Sequence, residues 1–207
     1  MLEFLKTAFV TMLVTLDPPG LAPVFIGLTL GMPKAAQREV ALRAAIIAFA
    51  ILAAFAFGGG AVMDALGISI PAFRIAGGLL LFYIAFDMVF ELRGQRKQEL
   101  ASDAVAIDRI RNVAAFPLAI PLMSGPGSIT ATMLLAGRAG DDWPALAGLM
   151  AIVALVMLLC YVTFLMAERV SRLLGTTGNV VLTRMLGVVL AALAVQFVIN
   201  GVLTVGK

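Results

Sequence analysis

The sequence predicts an all-α membrane protein with six transmembrane helices, arranged as two inverted three-helix repeats whose first and fourth helices are broken. Three observations lead to this fold class. The 207-residue chain is 62% hydrophobic and 13% charged, whereas soluble domains are about half apolar and about a quarter charged. Its apolar residues fall into six runs of membrane-spanning length. Helix-breaking residues recur at matching places in the two halves.

The six apolar runs define the elements. A run of about 20 residues, at about 1.5 Å of rise per residue, spans a hydrocarbon core of about 30 Å. The predicted spans are 4–30, 40–63, 71–90, 113–136, 144–167 and 180–203. We therefore divide the chain into a first three-helix repeat at 1–90, a cytoplasmic linker at 91–112 and a second three-helix repeat at 113–207.

The basic residues predict how the helices are oriented. If the N-terminus is outside, the inside segments hold ten Lys or Arg residues and the outside segments hold three. Cytoplasmic loops carry the excess of positive charge in membrane proteins. We expect a multi-pass protein of the cytoplasmic (inner) membrane, embedded in the lipid bilayer, with both termini in the periplasm. The net charge of +3 reports this orientation and predicts no nucleic-acid partner.

An internal repeat connects the two halves of the chain. A displacement of 107 lays the sequence DPPG at 17–20 on SGPG at 124–127, and a displacement of 110 lays Arg74 on Arg184. Each half holds three spans, an odd number, so the two halves would enter the membrane from opposite sides. This inverted-topology repeat is typical of secondary transporters, whose binding sites form between discontinuous helices.

The two repeated breaker motifs predict a binding site near the middle of the membrane. Asp17 is the midpoint of the first run, and the midpoint of the fourth falls between Ser124 and Gly125. A broken helix exposes N–H groups, which suit an anion, and carbonyl groups, which suit a cation. Two facing breaks would thus bind a small zwitterion, although the motifs could also be simple kinks. The candidate substrate-binding residues are Asp17, Pro18, Gly20, Ser124, Gly125, Gly127, Ser128 and Thr130.

Four polar residues are candidates for coupling or gating. Asp17 could carry a coupling proton, ligate Na⁺, or only cap the helix that follows it; no cofactor beyond H⁺ or Na⁺ is expected. Arg74 and Arg184 lie about one turn inside the starts of spans three and six, where a cation gains nothing from the helix dipole. They are candidate gate residues, or they extend to the lipid headgroups. Asn200 shares a helix face with Gln196, and we expect that face to point into the bundle.

Four stretches of the chain resemble the MarC family of bacterial inner-membrane proteins, which is related to the small neutral amino acid transporters. They are LDPPGLAPVFIGLT (16–29), PAFRIAGGLLLFYIAFDM (71–88), AIPLMSGPGSIT (119–130) and RMLGVVLAALAVQFVINGV (184–202). The resemblance implies a six-helix membrane protein, similar to proteins that move glycine or alanine. Pro19 and Leu21 depart from the residues that are common in the family at those positions.

We therefore expect a secondary transporter that moves small neutral amino acids or similar small metabolites by alternating access. The alternatives are a channel-like or export pathway for another small solute, and a non-transport membrane factor. An enzyme is not expected, because the sequence has no histidine, one cysteine and no nucleophile–base pair. Asp87 is expected at the cytoplasmic interface. The sequence does not predict an oligomeric state.

Overall fold

A computed structural model of the chain describes residues 1–90, 113–140 and 142–204. These residues form eight helical segments and no strand. The segments are α1 (Leu2–Leu16), α2 (Pro18–Leu28), α3 (Lys34–Ala65), α4 (Ile70–Val89), α5 (Ala114–Met123), α6 (Pro126–Ala139), α7 (Trp143–Leu165) and α8 (Ala167–Val202). The predicted cytoplasmic linker at 91–112 lies outside the described residues.

The helices provide five to six membrane spans. Five stretches are long and apolar enough to cross a membrane: Leu2–Leu28, Lys34–Ala65, Ile70–Val89, Trp143–Leu165 and Thr177–Val202. α5 and α6 meet the same criterion only together, and they bend by 58° at their junction. The prediction of an all-helical membrane protein is confirmed. The second span begins about two turns before the predicted residue 40. These first turns of α3 are polar, so they lie outside the apolar run on which the prediction was based.

The first predicted break is a single left-handed residue. α1 ends at Leu16 and α2 begins at Pro18, with Asp17 between them at φ 52° and ψ 63°. Proline disfavours the right-handed helical conformation in the residue before it, which explains why Asp17 leaves the helix. α2 nevertheless continues α1 as one span.

The second break is longer than predicted. The backbone leaves helical geometry at Phe116 (φ −135°, ψ 123°) and again at Ile120 (φ −123°, ψ 121°). Each of these residues precedes a proline, Pro117 or Pro121, which disfavours the helical conformation there. Regular helix resumes only at Pro126. The irregular stretch therefore covers all of α5 as well as the predicted residues 124–127.

α4 and α8 form the most extensive helix pair, and glycines allow their close approach. A Cβ on Gly78 would lie 2.8 Å from the carbonyl oxygen of Ala194, and one on Gly187 would lie 3.1 Å from that of Ala85. Small residues at a helix–helix contact let two backbones pack directly in a membrane.

Met1 and Thr204, the first and last residues that the structure describes, lie on one face of the helix bundle. Arg138, at the end of α6, borders one cavity together with Met1 and a second cavity together with Thr204. We call this end of the bundle the terminal face.

The opposite end, where α3 and α8 begin, carries most of the described positive charge, and we call it the basic face. Lys34 Nζ lies 2.5 Å from Glu168 Oε1, and Arg38 Nε donates to the hydroxyl of Tyr161 at 3.2 Å. These two contacts join the start of α3 to α8 and α7. The first turns of α8 lie here because the chain bends at Gly175, whose φ of 62° is readily available to glycine alone.

Candidate binding site at the two helix breaks

At the first break two helix carbonyls lose their usual intrahelical donors. The carbonyls of Val14 and Thr15 would normally accept from the residues four positions later, but these are Pro18 and Pro19, which have no N–H. The next amide, that of Gly20, donates instead to the Asp17 carboxylate at 3.2 Å. The end of α1 thus combines helix carbonyls with a buried carboxylate, and its electrostatic character is negative.

The same hydrogen bond satisfies the start of α2. Pro18 and Pro19 have no amide hydrogen, Gly20 is capped by Asp17, and the amide of Leu21 donates to the Asp17 carbonyl at 3.1 Å. The capping role considered for Asp17 is present. α2 therefore offers no open amide group to an anion, so the first break has one polarity only.

The second break exposes amide groups. Gly125 occupies the N-cap position of α6 and has no side chain to cap the helix, and Pro126 follows it. The first amide of α6 with a partner is that of Ile129, which donates to the Gly125 carbonyl at 3.0 Å. Within the described residues, the amides of Gly127 and Ser128 make no hydrogen bond. The start of α6 is therefore a buried pair of donors at the positive end of a helix dipole.

The end of α5 is closed by its own side chain. Both the amide and the hydroxyl of Ser124 donate to the carbonyl of Ala119, each at 2.8 Å. The two breaks are therefore not equivalent: the first exposes carbonyl groups and the second exposes amide groups.

The carbonyl end of α1 lies beside the amide end of α6. The Cγ2 atom of Thr15 is 3.5 Å from the position that a Cβ on Gly127 would take. One turn further from the breaks, the Thr132 hydroxyl is 3.6 Å from the sulfur of Met12. The two helices thus pack so that their ends of opposite polarity meet inside the bundle.

The predicted substrate-binding residues cluster at this meeting point and are shielded from solvent. The exposed fraction is 1% for Asp17, 3% for Ser124 and Ser128, and 8% for Thr130. Pro18, Gly125 and Gly127 are buried too, and Gly20 is half-buried.

Two of the predicted gating residues meet at the terminal face. Arg74 donates to the carbonyl of Gly137, at the end of α6, at 3.3 Å. It lines a cavity of about 250 Å³ together with Asn200 and Arg138. Asn200 accepts a hydrogen bond of 3.0 Å from Gln196. Gln196 is exposed, so the expectation that this helix face points into the bundle is wrong for that residue, because α4 packs on another face of α8, at Ala194 and Val198.

Arg184 lies far from this cluster. Its side chain is exposed, and Gly187, one turn later, packs on Ala85 and Met88 near the end of α4. Arg74 and Arg184 are therefore at opposite ends of the α4–α8 pair, and the structure does not bring them together.

The buried polar residues that the sequence reasoning missed include Thr11, Thr132 and Asp87. Thr11 and Thr132 are completely buried on α1 and α6, and their spacing to Thr15 and Ser128 (four residues) could have indicated a shared face. Asp87 was expected at the interface but is only 5% exposed, because the close α4–α8 packing covers it. Nothing in the local sequence marks it as buried.

Apolar helices of membrane-spanning length, with a polar site buried between two broken ones, define a multi-pass integral membrane protein. The sequence profile described as MarC family integral membrane protein matches residues 2–205. The chain therefore belongs to the MarC family.

Three relatives illustrate how widely this family occurs. Over 202 residues the chain is 42% identical to a UPF0056 membrane protein of Methanocaldococcus jannaschii, with 97% of each chain covered. Over 197 residues it is 36% identical to UPF0056 membrane protein YhcE of Escherichia coli, covering 94% of this chain and 89% of that one. A UPF0056 membrane protein of Aquifex aeolicus is 36% identical over 199 residues, with 94% and 90% covered. No solved structure matches the chain.

Proposed function

We propose that this protein is a secondary transporter that moves small neutral amino acids, or similar small metabolites, across the cytoplasmic membrane by alternating access. The observation that carries the proposal is the adjacency of two buried helix ends of opposite polarity. The carbonyl end of α1 includes Asp17, and the amide end of α6 includes Gly127 and Ser128. Carbonyl ends attract cations and amide ends attract anions. A small zwitterion carries both charges and would satisfy both ends.

The space around the two ends favours a small substrate. A Cβ on Gly20 would meet the Asp17 carboxylate, and a Cβ on Gly127 would meet the side chain of Ile84. We assign the ammonium group of the substrate to the Asp17 end and its carboxylate to the α6 end. The sequence resemblance to transporters of small neutral amino acids supports the same class, with glycine and alanine as its smallest members.

The helix packing supports an inverted-repeat architecture for the two halves. In such a repeat α1 would be equivalent to α5, α2 to α6, α3 to α7 and α4 to α8. The contact α3–α5 would then correspond to α7–α1, the contact α2–α8 to α6–α4, and the contact α3–α6 to α7–α2. All six pairs are in contact, as are α4–α8 and α3–α7, which map onto themselves. The contacts of α1 with α6 and α8, and of α7 with α6 and α8, have no counterpart of similar extent. A twofold relation of this kind lets one part of the bundle rock against the other around a fixed central site.

Orientation and coupling follow from charge. We propose that the terminal face is periplasmic, since the excess of Lys and Arg on the basic face marks it as cytoplasmic. Asp17 is our candidate for the coupling proton, because an ionisable side chain inside a membrane protein usually serves transport.

Counterflow in proteoliposomes tests the proposed function. Vesicles loaded with unlabelled glycine should accumulate labelled glycine and alanine with saturation. Glycinamide lacks the carboxylate and acetate lacks the amine, so each alone should compete much more weakly than alanine. Flux that never saturates would indicate a channel-like pathway, and no flux of any neutral amino acid, with or without pH and Na⁺ gradients, would reject the transporter.

A further inference from the structure

A cavity opens on the basic face. It has a volume of about 520 Å³ and lies between the end of α2, the start of α3, the end of α7 and the start of α8. This size is within the range of about 300–1,000 Å³ that is usual for small-molecule sites. The polar residues that line it are Thr29, Lys34, Gln37, Glu168, Arg169 and Arg172.

The charge of the cavity wall is positive after internal pairing. Lys34 and Glu168 neutralise each other, since Nζ and Oε1 are 2.5 Å apart. Arg172 Nε donates only to the Glu168 carbonyl, at 3.3 Å, and Arg169 makes no ion pair within the described part of the chain. Two guanidinium groups therefore contribute unneutralised charge to a confined, partly apolar space, where electrostatic attraction is stronger than on an open surface.

The cavity on the terminal face provides an internal comparison. It has a volume of about 350 Å³ and lies between the ends of α3 and α6 and the starts of α4 and α7. These helix ends are equivalent, in the proposed repeat, to the ones that surround the basic-face cavity. Its lining is mainly apolar, and among the described residues that line it Asp64 alone is charged. Two cavities in equivalent positions thus differ in the sign of their charge.

The basic-face cavity and the first break share one helix. Phe25 and Phe164 line the cavity, and their rings are buried and stacked. Phe25 belongs to α2, the helix that Asp17 caps. A ligand held in this cavity would therefore contact the helix that begins at the first break.

We propose that the basic-face cavity is a second binding site, specific for the carboxylate group of small solutes, in which Arg169 and Arg172 supply the charge. This proposal rests on the proposed function for its role: the cavity would hold the substrate before it passes Phe25 and Phe164. The binding itself does not depend on transport.

Cysteine labelling measures the site directly. Leu30 lines the cavity and is 80% exposed, and Trp143 lines the terminal-face cavity and is 71% exposed. Leu30→Cys and Trp143→Cys, each with Cys160→Ala, would be labelled with an anionic and a cationic methanethiosulfonate. At low salt the ratio of anionic to cationic rates should be about 3–10-fold higher at Leu30→Cys. Equal ratios at the two positions would overturn the proposal.

The arginines are tested against a matched control. Arg169→Gln combined with Arg172→Gln should abolish the rate preference. Arg43→Gln should leave it intact, because Arg43 is already paired with Glu39 on the same helix, outside the cavity. An equal loss in both variants would assign the effect to the general surface charge and overturn the site.

Protection from a neutral maleimide tests the ligand class. Glycine and acetate should slow the labelling of Leu30→Cys, and glycinamide should not. The measurement is made in nanodiscs of phosphatidylcholine and of phosphatidylglycerol. Protection that needs phosphatidylglycerol and ignores both carboxylates would show that a lipid phosphate occupies the cavity and overturn the proposal. If acetate protects the cysteine but glycine counterflow is absent, the transporter is rejected and this site is retained. If counterflow is present but neither carboxylate protects the cysteine, this site is rejected and the transporter is retained.

Discussion

The ring of Phe25 is stacked on the ring of Phe164, with centroids 4.7 Å apart and planes within 10° of parallel. Both side chains are buried. One ring belongs to α2 and the other to α7, so the contact joins the first half of the chain to the second. Both rings line the basic-face cavity, and Phe25 is on the helix that Asp17 caps.

We predict that Phe164→Ala makes the site at the breaks accessible from the basic face. Removing a buried ring leaves a void and costs about 3–5 kcal/mol when the surroundings do not collapse. With Ser128→Cys as the reporter and Cys160→Ala as the background, a membrane-impermeant thiol reagent added on the basic face should react faster in the Phe164→Ala variant.

Phe86→Ala is the matched control for this prediction. Phe86 also contacts another ring, that of Phe90 at 4.3 Å between centroids, but Phe86 is on α4, Phe90 directly follows that helix, and both are exposed. Its removal should leave the reporter unreactive. Unchanged labelling after Phe164→Ala would mean that the Phe25–Phe164 stack does not gate access.

The Asp17→Asn variant distinguishes a coupling role of Asp17 from a purely capping role. Asparagine caps a helix about as well as aspartate, so the bond to the Gly20 amide should survive and the fold should lose little stability. If Asp17 carries the coupling proton, flux driven by a pH gradient should disappear while exchange of glycine for glycine persists. If it ligates Na⁺, the variant should instead need more Na⁺. Gradient-driven flux at the wild-type rate would exclude both roles and leave the cap.

Gly78→Ala should loosen the α4–α8 pair. Its Cβ would lie 2.8 Å from the Ala194 carbonyl, which is backbone and cannot rotate away, so overpacking should cost about 1–3 kcal/mol. Gly137→Ala is the control, because a Cβ there meets nothing within 4 Å and alanine favours a helix over glycine by about 1 kcal/mol. The Tm measured by thermal unfolding in detergent should fall for Gly78→Ala and rise slightly for Gly137→Ala. Equal shifts would contradict the close packing.

The Lys34–Glu168 pair predicts a pH dependence. The hydrogen bond from Lys34, together with its charge, holds the pKa of Glu168 below the ordinary 4.5. Since this pKa is lower in the folded than in the unfolded protein, the stabilisation is fully present above pH 4.5 and is lost as pH falls through the lowered value. The Tm difference between wild type and Glu168→Gln should therefore be small, because the pair is exposed, and should vanish on acidification. A Tm difference that grows at low pH would contradict the assignment of a lowered pKa to Glu168.

Much of the fold was predictable because burial in lipid demands long apolar helices, and the hydropathy of the sequence records them directly. The first break was predictable because consecutive prolines exclude a continuous helix. The irregularity of α5 could also have been inferred from Pro117 and Pro121, four residues apart, yet hydropathy alone treats that stretch as a regular span. The bend at Gly175 had no comparable signal, since glycine is common throughout this chain.

The polarity of the site was only partly predictable. The sequence indicates that each break exposes both amides and carbonyls, but it does not say which of them are satisfied locally. That outcome depends on side-chain conformation: the Asp17 carboxylate turns to the Gly20 amide, and the Ser124 hydroxyl turns to the Ala119 carbonyl. The burial of Asp87 depends on how α4 meets α8, which is a tertiary property.

The two prolines at the first break have a consequence for the evolvability of this protein. The negative end of α1 exists because residues 18 and 19 supply no amide hydrogen to it. Almost any substitution there introduces a donor, and a donor that reached the α1 carbonyls would lengthen the helix and strengthen it. Selection in the laboratory for heat resistance alone would therefore favour changes at these positions, and the variants it recovered would be the ones least able to hold a cation there.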